Sequence, residues 1–78
     1  MKDVVRKFLV DNRADPDAGD FTDDESLLEK GVIDSVMMVD LITFLESECG
    51  VRIEDDEMTP ENFDSVTAIV AFVAGKAG

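Results

Sequence analysis

The sequence predicts an all-α fold: a small bundle of three main helices with short helical turns between them and a long loop joining the first two. Three observations predict it. Apolar residues recur at spacings of three and four rather than in alternation. Asp, Ser and Thr precede these apolar runs and Gly follows them, as helix caps require. With 78 residues, 45% of them apolar, the chain has room for one compact core. The whole chain, 1–78, therefore reads as a single domain. A chain this short buries only about 60–65% of the surface its unfolded form exposes, so its stability should be modest.

Taken in order, the first helix places Val5, Phe8 and Leu9 on one face and leaves Lys2, Arg6 and Arg13 to solvent. Asp11-Asn12-Arg13, followed by Asp15-Pro16-Asp17, ends it and opens the long loop. Thr22-Asp23-Asp24-Glu25 has the spacing of a capping box, with the Thr22 hydroxyl on the Glu25 amide and the Glu25 carboxylate reaching back. A short turn carrying Leu27 and Leu28 follows and stops at Gly31. The longest helix runs from Ser35 to Glu48, with Met38, Leu41, Ile42, Leu45 and Cys49 as its inner stripe and Gly50 as a left-handed cap. Val51-Arg52-Ile53 is an extended connector. Thr59-Pro60 then supplies a cap and a first-turn proline, with Phe63 pointing inward. The last helix starts near Ser65 and buries Val66, Ile69, Val70 and Val73.

Charge narrows the function. A formal net charge of −12 argues against nucleic acid as a partner, because phosphate binding runs on clustered Lys and Arg. Four of the seven basic residues (Lys2, Arg6, Lys7, Arg13) lie in the opening segment, and the remainder is strongly acidic. Such a field steers a protein towards basic patches on its partners. One cysteine cannot form an internal disulfide, and without histidine a zinc site is not expected. The opening Met1-to-Lys7 stretch is charged where a signal peptide needs an apolar run, and no segment has the length to cross a bilayer. A cytoplasmic monomer is the expectation.

The candidate site is Ser35, at the junction of a loop and a helix N-terminus, where a hydroxyl is exposed and first-turn amides favour a nearby anion. Val32 and Ile33 anchor the loop. Asp34 either caps the helix or helps an incoming enzyme hold a divalent ion. Asp64-Ser65-Val66 repeats the tripeptide Asp34-Ser35-Val36 at a second helix start, so the tripeptide alone singles out nothing, and Ser65 is expected to be a plain cap. Hydrolysis is a poor reading of Ser35, which has neither a Gly-x-Ser-x-Gly elbow nor any histidine base. The Asp15-x-Asp17-x-Gly19-Asp20 run fails as an EF-hand loop, because glycine stands fifth, Asp sixth and Ser26 twelfth. Weak divalent binding by Asp23, Asp24, Asp55, Asp56 and Glu57 is expected to raise the melting temperature. Cys49, on the inner stripe, should be an inert thiol.

The run Gly31-Val32-Ile33-Asp34-Ser35-Val36, the helix end Glu46-Ser47-Glu48-Cys49-Gly50 and the loop Ile53-Glu54-Asp55-Asp56-Glu57 together resemble the acyl carrier and peptidyl carrier protein family. The resemblance spans Leu27 to Val73 and, more loosely, the first helix. It implies that Ser35 carries a covalent 4′-phosphopantetheine drawn from coenzyme A. It also implies that the chain is a non-catalytic carrier of acyl or aminoacyl thioesters. Its partners would be a phosphopantetheinyl transferase, an acyl- or aminoacyl-loading ligase and downstream biosynthetic enzymes. Asp34, Val36, Met37, Val39, Asp40 and Glu46 would form the surface those partners read. Fatty-acid-type carriers usually have an acidic residue where Met37 stands and a phenylalanine where Cys49 stands. Those departures, with the Met58-to-Ser65 run, point to a specialised pathway rather than housekeeping fatty-acid synthesis. Two rivals stand beside this reading: an unmodified acidic interaction module docking through its Val36-Met37-Val39 edge, and a divalent-cation binder.

Overall fold

The computed structural model describes residues 2–77. The expected all-α architecture is present: α1 (Lys2–Asp11), α2 (Leu27–Lys30), α3 (Ser35–Cys49), a single 3₁₀ turn (Asp55–Glu57), α4 (Pro60–Phe63) and α5 (Val66–Ala77). Three helices are long and two are single turns. The segment between α1 and α2 is the predicted long loop.

α5 packs against α1, α3 and α4, so the C-terminal helix is the element around which the bundle closes. Val5 and Leu9 from α1, Leu41 and Leu45 from α3, Phe63 from α4, and Val66 and Ile69 from α5 are fully buried together. Fully burying one such side chain is worth about 1.5–3 kcal/mol. Loop residues complete the core: Ala18 and Phe21 from the long loop, Val32 and Ile33 before α3, and Ile53 after it. Two aromatic pairs tie elements to one another. Phe8 stacks on Phe44 with ring centroids 4.1 Å apart, and Phe63 meets Phe72 edge-on at 5.1 Å.

The structure corrects four local expectations. Arg6 and Arg13 are half-buried rather than left to solvent, because both pin the long loop. Arg6 bonds the Asp23 carboxylate at 2.8 Å, donates to the Phe21 carbonyl at 2.9 Å and lies over the Phe21 ring. Arg13 donates to the Ala18 carbonyl at 2.8 Å. The Thr22–Glu25 box is half formed. The Glu25 carboxylate accepts from the Thr22 amide, but the Glu25 amide turns to the Thr22 backbone carbonyl rather than to its hydroxyl. The helix begins later, with Ser26 as its cap. Thr59 precedes α4 with no side-chain cap bond, and Pro60 sets the start by itself.

The fourth correction concerns α3. Met37, expected on the outer surface, is 4% exposed, while Met38, expected in the inner stripe, is only partly buried. At 3.6 residues per turn the two lie about 40° and 60° to either side of Leu41, so spacing alone does not choose between them. The neighbours choose. Met38 faces an open groove walled by the single-turn elements α2 and α4, whereas Met37 joins Leu41 and Leu45 in one buried row.

Candidate functional site

Ser35 is the first residue of α3 and its side chain is exposed. Its position follows from the residues before it. Gly31 adopts φ 78°, a left-handed conformation that lets α2 end and the chain turn back. The amides of Val32 and Ile33 then donate to the Leu27 carbonyl at 2.9 and 3.3 Å. On the opposite side, the amides of Ala14 and Asp15 donate to the carbonyls of Val32 and Gly31 at 2.9 and 3.1 Å. With Val32 and Ile33 also buried, the segment is held from both sides up to Asp34.

Asp34 is the N-cap of α3, and its carboxylate accepts from the Met37 amide at 2.8 Å. Of its two expected roles, the cap is therefore the one formed within this chain. Because aspartate does the capping, the Ser35 hydroxyl is left outside the cap, beside the amides of the first turn of a 15-residue helix.

The second Asp-Ser-Val element is built one residue out of step. Here Ser65 is the cap, accepting from the Ala68 amide at 3.0 Å, and α5 begins at Val66. Asp64 stands outside the helix and turns its carboxylate to Ser26. Identical tripeptides thus yield one exposed serine and one serine engaged in a cap.

An open groove of about 390 Å³ runs beside Ser35, lined by Leu28, Asp34, Met38, Met58 and Pro60. Next to it the α3 surface is apolar and uncovered, with Val36 73% and Val39 60% exposed. Asp40 is exposed as expected. The remaining two expected recognition residues differ. Met37 is buried, and the Glu46 carboxylate accepts from the Ile53 amide at 3.0 Å, tying the connector after α3 back to the helix. An exposed serine beside a capped helix end and an apolar groove fits a flexible arm bearing one phosphate. The first-turn amides suit the anion, and Leu28, Met38 and Met58 suit an apolar chain.

Three of the five acidic residues named as possible divalent ligands are engaged by other partners. Asp23 pairs with Lys2 and Arg6, Asp24 accepts from the Thr67 hydroxyl, and Glu57 pairs with Lys76. Among the described residues no cluster of three carboxylate, thiol or imidazole groups could hold a metal ion. The Lys2 ammonium, then Arg6, holds the Asp23 carboxyl below its ordinary range. The Lys76 ammonium does the same for Glu57, and the Thr22 amide, followed by Lys30, for Glu25. Burial, with the charge of Glu48 second, raises the Cys49 thiol, as an inert cysteine requires. No helix among the described residues is long and apolar enough to cross a membrane.

The contacts that sequence reasoning missed are those of Ser26 and Asp64, 38 residues apart. The one available signal was the doubled Asp-Ser-Val, which marks two helix starts without saying which residue caps each.

Residues 11–73 match the family model described as the phosphopantetheine attachment site. The chain is also similar to the acyl carrier protein of Thermotoga maritima, with 29% identity over 72 residues that cover 92% of this chain and 86% of the relative.

Proposed function

This chain belongs to the phosphopantetheine attachment site family, an acyl-carrier-protein-like carrier with a covalent 4′-phosphopantetheine, and from that premise we propose that Ser35 is the residue that bears the arm. The observation that supports this is the contrast between two serines. Ser35 is exposed at the first position of a helix capped by its neighbour, while Ser65 uses its oxygen as a cap.

In this reading a phosphopantetheinyl transferase docks on α3 and activates the Ser35 hydroxyl. The Ser35 Oγ bonds to the pantetheine-side phosphorus of coenzyme A, and the pyrophosphate bond breaks. Adenosine 3′,5′-bisphosphate leaves, and the serine proton passes to a base on the transferase, where magnesium is also held. The attached group supplies a terminal thiol on which acyl or aminoacyl cargo rides as a thioester. The chain's own residues only position and present. Asp34 holds the helix end, Val32 and Ile33 fix the loop, and Val36, Val39 and Asp40 offer partners an edge that is apolar with an acidic flank. No acid, base or nucleophile beyond Ser35 is asked of the protein, which we assign as a non-catalytic cytoplasmic carrier.

The finer assignment is a specialised biosynthetic pathway, loaded by an acyl- or aminoacyl-activating ligase. Its support is Met37 where fatty-acid-type carriers usually have an acidic residue, Cys49 where they commonly have phenylalanine, and the methionines Met38 and Met58 that line the groove beside Ser35. Methionine adapts to varied apolar shapes, which suits cargo or partners other than a uniform fatty acyl series.

Intact-protein mass after incubation with coenzyme A, magnesium and a broad-specificity transferase tests the site. Wild type and Ser65→Asn, which keeps a capping oxygen, should each gain one phosphopantetheine, and Ser35→Ala none. Addition to folded Ser35→Ala, or none to folded wild type with several transferases, would overturn the assignment. The second outcome would favour the unmodified interaction module.

A further inference from the structure

Asp64 is bonded to both walls of the groove beside Ser35. Its amide donates to the Pro60 carbonyl on the α4 side at 2.8 Å, and its carboxylate accepts from the Leu28 amide on the α2 side at 3.0 Å. The same carboxylate receives the Ser26 hydroxyl at 2.9 and 2.8 Å. The Asp64 carbonyl takes the Leu27 amide at 2.6 Å. Ser26 in turn caps α2 by accepting from the Glu29 amide at 3.2 Å. One residue therefore gathers the start of α2, whose four residues are too few to hold a fixed position by their own helical bonds.

The connection continues to the site. Leu27, held by the Asp64 carbonyl, passes its own carbonyl to the amides of Val32 and Ile33. Those residues lead directly into the Asp34 cap and Ser35. Leu28 and Pro60, the two residues bridged by Asp64, both line the groove. Several hydrogen bonds converging on one carboxylate are enough to decide the placement of a single-turn helix whose own bonds are too few.

We propose that Asp64, with Ser26, is a positioning residue for the Ser35 site, setting both the groove between Leu28 and Pro60 and the approach of the loop that presents the serine. This rests on Ser35 being the attachment residue. Without the clasp α2 moves away from α4, the groove widens, and the 31–34 segment loses one of its two anchors, so a transferase meets a serine in more than one place.

The test measures transferase kinetics with the carrier as varied substrate, together with the backbone amide resonances of Ser35 and Val36. It uses wild type, Asp64→Ala, Asp64→Asn, and Val73→Ala as a core-destabilised control outside the clasp, all well below their melting temperatures. Asp64→Ala should lower kcat/KM by about tenfold, chiefly through KM, and shift both resonances. Asp64→Asn keeps an acceptor oxygen for the Leu28 amide and should recover most of the loss. Val73→Ala should change neither readout. Folded Asp64→Ala that behaves like Val73→Ala would overturn the proposal. Should Asp64→Ala not fold, Ser26→Ala is judged by the same comparison. Wild type that accepts no arm would sink the Ser35 assignment instead, and the resonances alone would then decide the clasp.

Discussion

Arg6 and Asp23 are joined at 2.8 Å between the middle of α1 and the far end of the long loop. The guanidinium also holds the Phe21 carbonyl and covers the Phe21 ring, so one α1 side chain fastens a loop that buries Phe21 in the core. Although the chain is strongly acidic, several of its few basic residues, Arg6, Arg13 and Lys76 among them, make internal contacts of this kind.

Acid should therefore weaken the fold. Asp23, Glu25 and Glu57 titrate below their ordinary values of 3.8, 4.5 and 4.5 in the folded chain. Where the folded pKa is depressed, the unfolded chain binds more protons, so the contribution is complete above the ordinary value and is lost as pH falls through the folded one. Urea midpoints should fall as pH drops below about 4.5, the ordinary Glu value. Arg6→Ala should be less stable than wild type at pH 7, and the gap should narrow in acid. A gap that stays constant from pH 7 to pH 3 would show that the Arg6–Asp23 pair does not contribute.

The two serines should separate cleanly in stability. Ser65→Ala removes a cap and should cost about 1 kcal/mol. Ser35→Ala removes a hydroxyl that caps nothing, from a helix position that tolerates alanine, and should lie within about 0.5 kcal/mol of wild type. Equilibrium unfolding followed by circular dichroism gives both values. Equal losses would contradict the offset registers of the two elements.

Two glycines should respond in opposite directions. Gly31 has φ 78°, and an added Cβ would stand 3.4 Å from the Asp15 Cβ, so Gly31→Ala is strained and should destabilise by about 1–2 kcal/mol. Gly75 lies within α5, where an added Cβ meets nothing within 4 Å. Gly75→Ala should stabilise by up to about 0.5–1 kcal/mol. Thermal melts of both variants decide the signs.

Magnesium and calcium should act only as general counter-ions. Asp23, Asp24 and Glu57 are engaged by Lys2, Thr67 and Lys76, and self-repulsion at a net charge of −12 is relieved by any salt. Millimolar magnesium should raise the melting temperature no more than sodium chloride of equal ionic strength. A larger rise, saturating with magnesium, would reveal a site that forms on binding.

The sequence by itself determined the element types, most of their ends and, except for the only partly buried Val70, the core-facing rows of α1 and α5. These follow from local causes: helical spacing, caps, a proline at a first turn and glycines at left-handed stops. It also put Ser35 forward as the candidate residue, through the glycine and two apolar anchors before it and the long helix after it. Tertiary structure decided what no spacing encodes. Met37 is buried in one row with Leu41 and Leu45, while Met38 faces a groove whose walls, α2 and α4, are brought there by the fold and not by helical spacing. Glu46 serves the Ile53 amide because the chain turns back after Gly50. The clearest case is the repeated Asp-Ser-Val. Asp34 caps its helix, but Asp64 is drawn outward to Ser26, leaving Ser65 to cap. A cap is a contest between a local amide and any distant donor within reach, and the distant donor exists only once the chain has folded.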